Sequence, residues 1–176
     1  MKWLLIVFAA AIGLAGLRAA FAAELPKAGE AAAPFILPDQ NGKTRTLEEF
    51  RGKWLALYFY PKDDTPGCTE QACKFRDDLA QLTSLGAQVV GVSVDTSASH
   101  AEFAKKYSLP FPLLADAKGE VAEHYGSLMN LGVMKLAKRN TFLIDPEGKI
   151  AKVYVKANTS RNSVEVIEDL KTLAKK

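Results

Sequence analysis

Two cysteines, Cys68 and Cys73, lie in the segment PKDDTPGCTEQAC, which spans residues 61–73. Thr65 is a favourable N-cap residue, Pro66 suits the first position of a helix, and apolar residues recur after them at helical spacing. We therefore predict that Cys68 lies in the first turn of a helix. The free backbone N–H groups and the positive dipole end of that turn favour an anion such as a thiolate. The pattern indicates a reactive cysteine.

The spacing of the two cysteines bears on whether they form a structural disulfide or a redox pair. In one continuous helix, residues five apart have Cα atoms about 8–9 Å apart and lie roughly 140° apart around the axis. A disulfide requires Cα atoms within about 7 Å, so this bond can form only if the helix unwinds. The spacing favours a pair in which Cys68 attacks an oxidant and Cys73 condenses with the resulting sulfenic acid. A structural disulfide and two unrelated free thiols are the alternatives.

The elements around this helix predict an α/β fold. Residues 54–60 form a continuous apolar run, typical of a strand buried on both faces, and they end directly before the cysteine segment. The helix is expected to continue to about Leu85, where Gly86 ends it. A second buried strand over residues 88–95 and a helix that begins after Thr96 follow. This alternation of strands and helices implies a parallel sheet core.

Antiparallel strands are predicted at both ends of the domain. The remaining predicted elements are a hairpin of strands 34–38 and 43–46, a helical turn at 47–50, a short strand at 110–116, a short helix at 118–125, a second hairpin of strands 140–145 and 149–156, and a helix at 163–174. Residues 127–138 show no clean period and are expected to form a flexible loop. In the last helix, Val164, Ile167, Leu170 and Leu173 have helical spacing. The sum is a thioredoxin-like fold, with a mixed central sheet flanked by helices and an N-terminal β-hairpin.

Composition and the N-terminal residues indicate one globular domain behind a targeting segment. The 176 residues are 48% hydrophobic and 24% charged, the profile of a domain with a full-sized core. An apolar run at residues 3–17 and the cleavage motif Ala20-Phe21-Ala22 fit a secretory signal peptide over residues 1–23. The domain then spans residues 24–176. We expect export to the periplasm, and an uncleaved segment would instead serve as a membrane anchor.

The charge balance excludes several classes of partner. Removal of Lys2 and Arg18 with the signal peptide lowers the basic residues from 23 to 21, against 20 acidic ones. A mature chain so close to neutral gives no reason to expect nucleic acid as a partner, or stable membrane association after cleavage.

Residues 59–73, FYPKDDTPGCTEQAC, resemble the active-site segment of the peroxiredoxins, in particular the bacterioferritin comigratory protein or peroxiredoxin Q subfamily. The pattern P-x-x-x-T-x-x-C is specific to this kind of site. Further matches occur in the family's order, from about Leu25 to the C-terminus: Phe75-Arg76-Asp77, residues 92–95, Ser99-His100, Phe103, residues 109–116 and residues 139–145.

The resemblance implies a thioredoxin fold and reduction of hydrogen peroxide and organic hydroperoxides without a metal, haem or flavin cofactor. Cys68 matches the peroxidatic cysteine and Cys73 the resolving cysteine. Thr65 matches the hydroxyl that contacts both thiolate and peroxide, Arg139 the cation beside the sulfur, and Pro61 the residue that shields the pocket. An atypical 2-Cys enzyme of this type would be re-reduced by a thioredoxin-like partner. We expect a monomer or a weak dimer.

Two other functions compete with this one. The chain could be an exported thiol-disulfide exchange protein that assists maturation of other proteins, although its spacing is not C-x-x-C. It could also be a binding module with idle cysteines. For the residues outside the cysteine segment the expectations are structural. Asp63 and Asp64 are expected in a solvated turn. His100 and His124 lack ligand spacing, so no metal site is expected, and they are interpreted as a cap-region residue and a helix-surface residue.

Overall fold

A computed structural model describes residues 24–174, so the predicted signal peptide lies outside the described part and stays a prediction. The strands are β1 (Ile36–Pro38), β2 (Thr44–Thr46), β3 (Trp54–Phe59), β4 (Ala87–Ser93), β5 (Leu113–Ala115), β6 (Leu128–Asn130), β7 (Lys135–Ala137), β8 (Thr141–Ile144) and β9 (Ile150–Tyr154). The helices are α1 (Pro66–Asp77), α2 (Leu79–Ser84), α3 (Ser97–Tyr107), α4 (Glu120–His124) and α5 (Asn162–Leu173), with a 3₁₀ turn at Leu47–Phe50.

The central sheet has the strand order β5-β4-β3-β8-β9. Strands β3, β4 and β5 are parallel, while β8 is antiparallel to β3 and β9 is antiparallel to β8. The predicted thioredoxin-like fold is confirmed, including the N-terminal hairpin of β1 and β2. Because β8 runs against β3, its first residue, Thr141, pairs with Tyr58 near the carboxyl end of β3. The segments after β3 and before β8 therefore meet at one edge of the sheet.

Both faces of the central strand are covered, which explains its continuous apolar sequence. Leu55 to Phe59 are buried and alternate between two hydrophobic clusters. Tyr58 packs with Cys68 and Phe75 on the face covered by α1, α3 and α5. Phe59 packs with Phe142 and Tyr125 on the opposite face. The side chain of Cys68 is thus part of a core, on the α1 face of the sheet.

The predicted helix from Cys68 to about Leu85 is wrong in its length, because two helices meet at Asp78. Asp78 has φ −90° and ψ 2°, in the sparsely populated region between helix and strand. Its carboxylate accepts a hydrogen bond from the Ser163 hydroxyl at 2.6 Å, which holds it at the start of α5. An acidic residue within a helical pattern gives no sign of this tertiary contact.

The predicted loop at residues 127–138 is a short hairpin. Leu128 pairs with Ala137 and Asn130 with Lys135, and the Leu131 amide donates to the Met134 carbonyl at 2.8 Å. Strands of three residues are too short to show the alternation of apolar and polar residues on which strand prediction rests.

The buried face of α5 agrees with the prediction at Ile167 and Leu170 but differs at Val164. Val166, Ile167 and Leu170 are buried, whereas Val164 is 38% exposed. The buried stripe begins at Ser163, which lies three residues before Val166. A serine at the start of the stripe carries no apolar signal, so the apolar pattern points to the neighbouring Val164 instead.

Candidate active site

The segment after β3 places Cys68 as the third residue of α1, where it is fully buried. Pro61 lies two residues after the end of β3 and is half-buried. Thr65 is the N-cap residue of α1, and its carbonyl accepts the amide of Thr69 at 2.9 Å. Its hydroxyl donates to the Lys62 carbonyl at 3.0 Å and makes no capping bond to the helix. Cys68 therefore lies in the first turn, where the backbone N–H groups have no partner within the helix.

Arg139 contacts the same sulfur. It lies two residues before β8, and its Nη2 donates to Cys68 Sγ at 3.3 Å. Its Nη1 donates to the Gln71 side-chain oxygen at 2.8 Å and approaches the Gly67 carbonyl at 3.5 Å. A Cβ atom at position 67 would lie 3.3 Å from Arg139 Nη2, so the glycine leaves room for the guanidinium. The structure thus brings together Cys68 and a cation 71 residues away in the sequence.

A buried amide network, which the sequence analysis missed, supports Arg139. Gln71 is fully buried, and its amide nitrogen donates to the Asn162 side-chain oxygen at 2.9 Å. The Thr141 hydroxyl donates to that same oxygen at 2.7 Å. The Asn162 side-chain nitrogen is buried without a hydrogen-bond partner in residues 24–174. The sequence does indicate that Gln71 is buried, since a glutamine three residues after Cys68 lies on the apolar stripe of α1.

Cys73 lies on the same continuous helix as Cys68 and is half-buried, and both thiols are free. Five helical residues separate the Cα atoms by about 8 Å, beyond the reach of a disulfide. The structure therefore brings Arg139 onto Cys68, places Thr65 at the N-cap three residues before it, and holds Cys73 about one and a half turns away.

Asp63 is buried, which contradicts the prediction of a solvated turn for this residue. Its carboxylate accepts hydrogen bonds from the hydroxyls of Tyr60 and Ser99, each at 2.7 Å, and lies 2.8 Å from Nδ1 of His100. Burial by itself raises the pKa of this carboxyl, but the hydrogen bonds from His100, Ser99 and Tyr60 hold the pKa below its usual value. His100 lies in the first turn of α3, in the cap region as predicted, and is itself fully buried.

Asp64 is exposed, as predicted, but it is also anchored. It has a left-handed φ of 56°, and its carboxylate accepts hydrogen bonds from Lys106 and from the Tyr107 hydroxyl, each at 2.6 Å. Helix α3 therefore contacts the loop before Cys68 at two consecutive residues, one buried and one exposed.

Tyr58 packs against Cys68, and the charges of the site affect its pKa. Burial raises the pKa of Tyr58 well above its usual value, and the nearby charges of Asp63, Cys68 and Cys73 raise it further. Its ring stacks on Phe75 with centroids 4.9 Å apart. The phenol of Tyr58 therefore stays neutral and packs against the reactive cysteine.

No helix within residues 24–174 is long and apolar enough to cross a membrane. The same residues contain no group of three or more His, Cys, Asp or Glu side chains placed to hold a metal ion.

A thioredoxin-like sheet with a buried cysteine in the first turn of a helix, and a guanidinium that donates to its sulfur, is the arrangement that the resemblance to the peroxiredoxins, a class of thiol peroxidases, implies. The comparisons with known proteins narrow the class. The model of the AhpC/TSA family matches residues 28–153, and the chain belongs to this family. The chain is 43% identical over 143 residues to the putative peroxiredoxin bcp of Coxiella burnetii, covering 79% of this chain and 95% of that protein.

Two further matches support the same family assignment. The chain is 48% identical over 120 residues to the chloroplastic peroxiredoxin Q of Triticum aestivum, covering 68% of this chain and 55% of that longer protein. The crystal structure of peroxidoxin BcpB from Mycobacterium tuberculosis superposes with a TM-score of 0.80 at 34% identity, covering 84% of this chain and 98% of that one. The resemblance to the Bcp and peroxiredoxin Q type is confirmed.

Proposed function

We propose that this peroxidase reduces hydrogen peroxide and organic hydroperoxides through a Cys68 sulfenic acid that Cys73 resolves as an intramolecular disulfide. The contact between Arg139 Nη2 and Cys68 Sγ, at 3.3 Å, carries the proposal. A guanidinium keeps its charge at any working pH and offers several N–H donors, so it can stabilise both the thiolate and the oxygen that leaves.

The chemistry balances without a cofactor. The Cys68 thiolate attacks one peroxide oxygen, the O–O bond breaks, and the departing alkoxide or hydroxide takes a proton to leave as an alcohol or water. Cys73 then attacks the sulfenic sulfur, and a water leaves as the disulfide forms. A dithiol donor reduces that disulfide and is itself oxidised, which returns both cysteines to thiols. We propose a thioredoxin-like protein as this donor.

The burial of Cys68 favours a peroxide over a protein disulfide as the oxidant. A peroxide is a small molecule, whereas a disulfide on a second protein brings bulky neighbours with it. The alternative of a thiol-disulfide exchange protein is therefore not favoured.

Mass spectrometry after one equivalent of peroxide tests the chemistry. We expect a loss of two hydrogens and a disulfide between Cys68 and Cys73. Cys68→Ser abolishes rapid peroxide consumption, whereas Cys73→Ser consumes about one equivalent and then stops. A Cys68→Ser protein that still consumes peroxide rapidly would refute the proposal.

We also propose that residues 1–23 direct export to the periplasm, where the donor would have to be found. The intact mass of the protein recovered from the producing cells tests this. A mature N-terminus at Ala23 or Glu24 is the expected result, and a full-length chain in the cytoplasmic fraction would contradict it.

A further inference from the structure

The two ring nitrogens of His100 both face oxygen acceptors. Nε2 lies 3.1 Å from the Leu114 carbonyl oxygen, and Nδ1 lies 2.8 Å from Asp63 Oδ2. A carbonyl oxygen cannot donate, so Nε2 must carry a hydrogen. The open question is whether Nδ1 also carries one, or whether the proton belongs to Asp63.

The other partners of Asp63 place the proton on the ring. The carboxylate already accepts one hydroxyl on each oxygen, from Tyr60 on Oδ1 and from Ser99 on Oδ2. Two hydroxyl donors directed at one carboxyl favour its ionised form. An ionised carboxylate at 2.8 Å from a bare ring nitrogen would oppose two lone pairs, which the fully buried position of His100 makes costly.

We infer that His100 is held as a buried imidazolium whose pairing with the Asp63 carboxylate positions the loop before Cys68, an inference that rests on the proposed function of that cysteine. Asp63 lies five residues before Cys68, and its amide also donates to Asp95 Oδ2 at 2.8 Å. The Asp95 oxygen in turn accepts the Ser93 hydroxyl at 2.7 Å. The loop is thus fixed to the end of β4 by its backbone and to α3 by its side chain.

His100 also balances the negative charge of the loop before Cys68. The groups that face it are Asp63 and Tyr60 from the loop, Ser99 on its own helix and the Leu114 carbonyl from β5, with Asp95 behind Asp63. His100 is therefore the only cation among these neighbours in residues 24–174. Without it, the uncompensated carboxylates would oppose a negative charge on Cys68, and burial of the Asp63 carboxylate would lose its partner.

Nitrogen NMR of the reduced protein reads the protonation of His100 directly. The chain has two histidines, and His124 is exposed, so a His124→Gln variant leaves one ring to observe. We expect both nitrogens of His100 to carry hydrogens at pH 7. A bare ring nitrogen at that pH would overturn the inference.

A double-mutant cycle separates charge pairing from simple packing. His100→Asn leaves Asp63 unpaired, Asp63→Asn leaves His100 unpaired, and the double variant has a neutral amide pair. We expect each single variant to slow the first oxidation of Cys68 by about 10-fold or more, and the double variant to recover most of that loss. Equal or additive losses in all three proteins would overturn the pairing. Asp64→Asn, in which the exposed partner of Lys106 is changed, is the matched control and stays within about 2-fold of the wild type.

Failure of the proposed peroxidase function can be distinguished from failure of the inference about His100. If the wild-type protein does not react rapidly with peroxide, the peroxidase proposal falls. The NMR result and the rates at which iodoacetamide modifies Cys68 in the same four proteins then decide whether His100 positions the loop. Alkylation rates that follow the same cycle support the inference, and rates equal in all four proteins refute it.

Discussion

The chain on either side of Cys68 is held in two different ways. On the loop side, the Asp63 carboxylate lies 2.8 Å from the buried His100 ring, which we infer to be an imidazolium. On the helix side, Gln71 is fixed to Asn162 by neutral amide contacts, and only its bond to Arg139 involves a charge. Removal of one partner from a buried ion pair costs about 3–5 kcal/mol, whereas a neutral hydrogen bond contributes about 0.5–1.5 kcal/mol.

This difference indicates which side opens when the disulfide forms. Cys73 reaches Cys68 only if the residues between them leave the helix, and Gln71 is one of those residues. The Thr69 hydroxyl and the Asn162 side-chain nitrogen are buried without hydrogen-bond partners in residues 24–174, and opening would hydrate them. The loop side has the stronger anchor and keeps Cys68 in place while the helix side unwinds.

The largest effect is expected on the loop side. Asp63→Ala leaves the buried His100 without its counter-charge, so we expect a loss of about 3–5 kcal/mol in the free energy of unfolding. Urea denaturation of the reduced protein measures it. A loss below about 1 kcal/mol would mean that the loop side is not the stronger anchor.

On the helix side, Gln71→Ala removes the contacts to Asn162 and Arg139. We expect a loss of about 1–3 kcal/mol, smaller than for Asp63→Ala, together with faster disulfide formation after oxidation, since less has to be broken. Rapid quenching with an alkylating agent, followed by mass spectrometry, gives that rate. The exposed Gln81 on α2 provides a matched control, because Gln81→Ala changes the same atoms without a buried contact. Slower disulfide formation in Gln71→Ala would show that Gln71 does not restrain the helix.

The loop side and the helix side of Cys68 should respond differently to acid, because only the loop side depends on a buried carboxylate. The pKa of Asp63 is held below its ordinary value of 3.8, so the unfolded chain takes up a proton before the folded one does as the pH falls. The stabilisation from this carboxylate is therefore complete above about pH 4 and is lost as the pH falls through the lower folded value. We expect the stability of Asp63→Asn to fall less steeply than that of the wild type between about pH 4 and pH 2, while Gln71→Ala keeps the wild-type slope. Parallel slopes in all three proteins would contradict the assignment.

The smallest effect is expected at the exposed pair of Lys106 and Asp64. Solvent screens such a pair, so Lys106→Ala should leave the unfolding midpoint and the rate of peroxide reduction unchanged. A clear loss of rate would show that the exposed contact with α3, and not only the buried one, positions the loop.

Much of the site could be predicted because its signals are local. Cys68 is predicted in the first turn of a helix from the N-cap, the proline and the apolar spacing of residues 65–75. The five-residue spacing to Cys73 predicts that the two thiols are too far apart for a disulfide in the intact helix. The position of Arg139 came from the family resemblance, since a strand-start arginine gives no local sign of its target.

The anchors could not be predicted in the same way. Asp63 and His100 are 37 residues apart, and Gln71 and Asn162 are 91 residues apart. Each polar side chain, taken alone, is typical of a turn or a helix surface, and only the tertiary fold buries it against its partner. The break at Asp78 was missed for the same reason.

Amide hydrogen exchange in the reduced and the disulfide forms tests the central claim most directly. The Tyr60 and Asp63 amides, which donate to the Val92 carbonyl and to Asp95, report on the loop side. The amides of residues 69–75 report on the helix side. We predict that oxidation accelerates exchange across residues 69–75 by at least 10-fold and leaves Tyr60 and Asp63 protected. Equal loss of protection on both sides, or a helix that stays protected in the disulfide form, would contradict the account.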